Sequence, residues 1–126
     1  MSEPSEPRKG IRKEEWENFL KEFSERNRNR RARFNVFFSS GETVEEAEEG
    51  HLESVSLNKN GNQTQVVITR ADQTESKEET MTDTIDNVRG ISVQFETDGS
   101  ESILEITDAK NTLLGLHFES KLDGNS

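Results

Sequence analysis

The sequence predicts an α+β domain: one N-terminal helix packed on a bent antiparallel β-sheet of five to seven strands, with closure into a small barrel as the alternative form of that sheet. Three observations lead there. Apolar residues recur with a 3.6-residue period up to Phe23, and with a two-residue period only from Phe34 to Phe118. Short turn signals rich in Asn, Asp and Gly separate the alternating runs, as antiparallel strands on tight connections require.

The helix rests on Trp16, Phe19, Leu20 and Phe23, which stand at i, i+3, i+4 and i+7 and form one apolar stripe, while Glu14, Glu15, Glu17, Lys21, Glu22 and Glu25 occupy the rest of the wheel. Arg12 at the N-cap sets Ile11 opposite Trp16 in the spacing of a hydrophobic staple, with Glu15 near the positive helix end. The helix should end near Asn27, a residue that tolerates the left-handed conformation. A first strand is expected over 31–38, with Ala32, Phe34, Val36 and Phe38 on one face. Residues 39–50, rich in glutamate, read as an exposed loop with a helical turn at 44–48. Residues 52–57 and 63–70 form a hairpin around Asn60 and Gly61, which supply positive φ. Residues 71–79 read as a polar connection.

A meander follows over 80–85, 88–96, 102–107 and 112–118. Its alternation puts Ile91, Val93 and Phe95, then Leu104 and Ile106, then Leu114, Leu116 and Phe118 on one face, where the helix should dock. Gly115 inside the last strand points to a bulge or to close approach of another element.

The 126 residues suit a single domain over 11–120, with disordered tails at 1–10 and 121–126. Leu, Ile, Val and Phe make up about 22% of the chain, just above the ~20% below which disorder is expected, so the core is lean. The formal net charge is −10, unevenly spread. Residues 8–33 carry a local +5 and residues 34–126 a local −13, which makes the molecule electrically two-sided and sets its acidic part against nucleic acid and anionic lipid. No apolar run approaches the ~18 residues of a membrane span, and the start lacks a signal-peptide pattern; a cytoplasmic setting without membrane contact is expected.

The run Ile11 to Ser24, with Trp16, Phe19, Leu20 and Phe23, resembles the opening of a family of short bacterial proteins grouped as a domain of unknown function. The closing hairpin, Ser102 to Phe118, is similar to the end of several members. The resemblance covers about residues 11–120 and implies an amphipathic helix followed by a β-rich domain in a bacterial cytosol. It implies no activity and no site.

Catalytic constellations are missing from the sequence. With no cysteine there is no disulfide, thiolate nucleophile or cysteine zinc site, and His51 and His117 stand far apart with no ligand-like spacing. No phosphate loop, dinucleotide fingerprint or nucleophile elbow is present. The chain therefore reads as a non-enzyme without cofactor or metal. The run of Glu45, Glu46, Glu48 and Glu49 with His51 and Glu53 lacks the order that bends a calcium loop inward and reads as a solvated acidic loop. Trp16 reads as a core anchor.

One cluster stands out: Arg26, Arg28, Arg30, Arg31 and Arg33 place five guanidinium groups within eight residues, a set that suits phosphate oxygens or an acidic partner. Its structural counterpart is complementation of the helix C-terminus and pairing with the glutamate run. The leading functional expectation is a non-catalytic interaction module that binds a protein partner or forms a homodimer, through a sheet edge or through this patch. Binding of nucleic acid or an anionic ligand by the patch is the alternative.

Overall fold

The computed structural model describes residues 8–45, 50–73 and 78–119. Along the chain come β1 (Arg8–Ile11), a 3-10 turn (Lys13–Glu15), α1 (Trp16–Asn27), β2 (Arg31–Phe37), β3 (Thr43–Glu45), β4 (Gly50–Asn60), β5 (Gln63–Gln73), β6 (Glu78–Ile85), β7 (Val88–Phe95), β8 (Glu101–Asp108) and β9 (Leu113–Phe118). The strands form a single antiparallel sheet in the order β1-β7-β8-β9-β2-β4-β5-β6, with β3 paired to β2 off that path.

The α+β architecture stands, with two corrections. The sheet has nine strands rather than five to seven, because two strands carry almost no alternation of their own. Arg8–Gly10, expected in the tail, pair with Ile11 along β7, and Thr43–Glu45, expected in a loop with a helical turn, pair with β2. Both are recruited by unpaired backbone on a neighbouring strand, which a hydropathy pattern does not report. The expected tail at 1–7, the glutamates at 46–49 and the tail at 121–126 lie outside the described residues.

The second correction concerns closure and the meander. Strands β6 and β7 are joined by Asp86 and Asn87 alone, yet they stand in the outer parts of opposite halves of the strand order and share no ladder. So short a link forces the sheet to roll, and it brings β7 close to β5. The roll does not close into a barrel: β1 and β6 remain its two ends. Asn87 makes the sharp reversal with φ of 54°, a left-handed conformation that asparagine tolerates better than most residues.

The inner face of the roll is the core. Ala32 and Phe34 of β2, Leu52 and Val55 of β4, Val66 and Ile68 of β5, Ile91 and Val93 of β7, Leu104 and Ile106 of β8, and Leu116 and Phe118 of β9 are all buried there. The alternation predicted for β7, β8 and β9 is thus observed, with Phe95 and Leu114 half-buried at its margins.

Helix α1 plugs one end of this roll. Trp16, Leu20 and Phe23 are buried, and the Phe23 ring packs on Phe118 with centroids 5.7 Å apart. Trp16 is the anchor expected of it, and its Nε1 donates to the carbonyl of Ile11 at 2.9 Å, fixing the link to β1. Ser24 stitches the helix to β4: its Oγ donates to the Val55 carbonyl at 2.8 Å and accepts from the Val55 amide at 2.6 Å. The helix ends at Asn27 as expected, although the left-handed residue is Asn29, with φ of 72°.

Candidate interaction surface

The five arginines of the predicted patch do not form one surface. Arg26 turns inward from the last helical turn and grips Glu101, Nε to Oε1 at 3.1 Å and Nη2 to Oε2 at 2.7 Å. Asn27 Nδ2 donates to the same carboxylate at 2.8 Å and to the Phe23 carbonyl at 3.0 Å. Arg30 lies over the Phe118 ring, 4.5 Å from its centroid, and Nη1 donates to Asn27 Oδ1 at 2.8 Å and to the Glu101 carbonyl at 2.7 Å. The side-chain bond to Glu101 raises the Arg26 pKa, while burial lowers that of Arg30. Two of the five are therefore spent on holding the helix end to β8.

The other three diverge. Arg28 reaches a groove of about 400 Å³ between α1 and β4. Arg31 and Arg33 point outward from β2, across from His51 on β4 and His117 on β9, with Glu119 4.0 Å from Arg31. Both histidines are strand residues, as the sequence suggested. Gly115 sits in unbroken ladders, without a bulge, and the group a Cβ there would crowd, Nε2 of His117 at 2.9 Å, belongs to the same strand and not to another element.

Sequence reasoning missed three buried polar groups. Glu101 is 8% exposed and is saturated by the network just described. Glu105 accepts from Ser92 Oγ at 2.9 Å, Gln94 Nε2 at 2.9 Å and Arg8 Nη2 at 3.0 Å, which fastens β1 to the sheet. Arg70 is 1% exposed, lies 4.6 Å over the Phe34 ring and reaches Asp83 at 3.4 Å. Each of these groups is held by its own neighbours, Arg70 also through the Ala32 carbonyl at 3.5 Å, and serves the fold. Among the described residues no group of three or more His, Asp or Glu is placed to hold a metal ion, and no helix is long and apolar enough to cross a membrane.

The end of the roll opposite α1 is built differently. Beyond Phe34 the inner stripe of β2 emerges into solvent: Phe38 is 41% exposed and Val44, across from Val36 on β3, is 51% exposed. Phe38, Ile85 and Leu114 line a cleft of about 450 Å³ that Asp86, Asp108 and Lys110 rim. Among the described residues no helix lies over this apolar surface.

Along that end runs the free edge of β6. The Val55 amide and carbonyl both face Ser24, so Val55 and Ile68 are a pair without ladder bonds to each other. The backbone groups of Ile68 then face β6, where Ile68 pairs with Asp83, Val66 with Ile85 and Arg70 with Met81. By the same alternation Thr80, Thr82 and Thr84 turn their N–H and C=O groups away from β5. Among the described residues no strand pairs with β6 on that side.

The signal for this edge was present but unread. In Met81, Asp83 and Ile85 a charged residue occupies the inward register, a feature typical of edge strands. No protein-family model, no curated protein and no solved structure matches this chain.

Proposed function

We propose that this chain is a non-catalytic interaction module that takes up an extended segment of a protein partner, or of a second copy, along the open edge of β6. The observation that carries this reading is the eight-residue β6 with one side unpaired, ending beside the cleft of Phe38, Ile85 and Leu114. Strand addition draws affinity from main-chain hydrogen bonds and selectivity from a neighbouring pocket. Both parts occur together at this end of the roll. The inward use of Arg26 and Arg30 in the Glu101 network favours this edge over the arginine cluster as the site.

The test is Thr82→Pro. Its amide faces away from β5, so proline removes a donor needed by an added strand and spares the existing ladder. A binding partner retained by the wild-type chain from cell extract should be lost by T82P, with the circular dichroism spectrum unchanged. Retention of the same partner by both would contradict the edge as the site.

Anionic-ligand binding by the arginines has a narrower basis, since only Arg28, Arg31 and Arg33 remain directed outward, on two different faces.

A further inference from the structure

Edge pairing at β6, the reading on which this inference rests, leaves open what the added segment is made of, and the charge around the edge bears on that choice. From Glu78 to Asp86 the chain carries Glu78, Glu79, Asp83 and Asp86 and no lysine or arginine. Asp83 is shared with Arg70, and Asp108 on the cleft rim is offset by Lys110, so the excess along the edge is negative but moderate. Thr80, Thr82 and Thr84, exposed and uncharged, leave room beside the edge for the side chains of an added strand. A second copy of β6 would set one net-negative segment against another, an arrangement that like-charge repulsion disfavours.

We infer that the occupant of the β6 edge is an extended basic segment of another protein, with an apolar residue at the end that meets Phe38, Ile85 and Leu114. Lysine or arginine alternating with small β-formers would set the cations over the acidic edge. The apolar terminus would cover surface that no element among the described residues covers.

The experiment uses the full chain and two synthetic peptides as long as β6. One alternates lysine and threonine and ends in phenylalanine; the other has glutamate for lysine. Binding is read by fluorescence anisotropy and by amide shifts of Thr80, Thr82 and Thr84, and the self-association of the chain by sedimentation. The basic peptide should bind about tenfold or more tighter than the acidic one, weaken as salt rises, and lose most of its affinity on Thr82→Pro and on Phe38→Ser. Equal binding of both peptides would overturn the charge preference while leaving edge pairing in place. Failure of both peptides with a dimer that Thr82→Pro dissociates would overturn it in favour of a second copy. Failure of both with no dimer would overturn this inference; fast exchange of the three amides would then keep the edge open as a site, and protected amides would remove it.

Discussion

The two ends of the roll treat their exposed chemistry in opposite ways. At the helix end every prominent group is covered or paired: Trp16, Leu20 and Phe23 are buried, and Glu101 binds Arg26 and Asn27 while Arg30 closes over Phe118. At the far end Phe38 and Val44 face solvent, and among the described residues no strand pairs with the outer side of β6. Of the five arginines most conspicuous in the sequence, Arg26 and Arg30 serve the structure of the helix end. The surface exposed at the far end is made of threonine, valine and phenylalanine.

This contrast can be broken or sharpened by substitution. Phe23→Ala should have the largest effect, a loss of about 3–5 kcal/mol in urea unfolding, because the ring fills the junction of helix and β9 and leaves a cavity there. A loss below about 1 kcal/mol would mean that the helix is not the plug described here.

Glu101→Ala comes next, at about 2–3 kcal/mol, since it strips Asn27 of a partner in a buried site and frees Arg26. Arg26→Ala should cost less, about 1 kcal/mol, because that side chain is 47% exposed and water replaces part of the bond. If the two variants were equally destabilised, the burial of Glu101 would not be the deciding term. Ser24→Ala should cost about 1–2 kcal/mol by leaving the Val55 amide and carbonyl without their partner.

The smallest change in stability belongs to the far end. Phe38→Ser and Val44→Ser should shift unfolding by less than about 0.5 kcal/mol, as substitutions of exposed side chains do. Phe38→Ser should nonetheless weaken partner binding. A large destabilisation by either would show that these residues belong to the core and not to a docking surface.

Much of the fold was legible in the sequence because burial imposes a period. The stripe of Trp16, Leu20 and Phe23 and the alternation through Val93, Leu104 and Leu116 each follow from a face that must avoid water. Strand order was not legible, since nothing local in Ile85 to Val88 says that β6 and β7 part company into opposite halves of a rolled sheet. β1 and β3 escaped notice because pairing with β7 and β2, not their own hydropathy, makes them strands. For the site, the sequence showed five neighbouring arginines, but their divergence depends on the helix ending at Asn27 and the chain reversing at Asn29. Asp83 in an inward register was the one local sign of an edge.

Amide hydrogen exchange along β6 distinguishes an open edge from a covered one. In the free protein Met81, Asp83 and Ile85, bonded to β5, should exchange slowly, while Thr80, Thr82 and Thr84 should exchange at rates close to those of an open chain; only the threonines should gain protection when the basic peptide is added. Uniform protection of all six amides in the free chain would show that the edge is already covered, and would contradict the account.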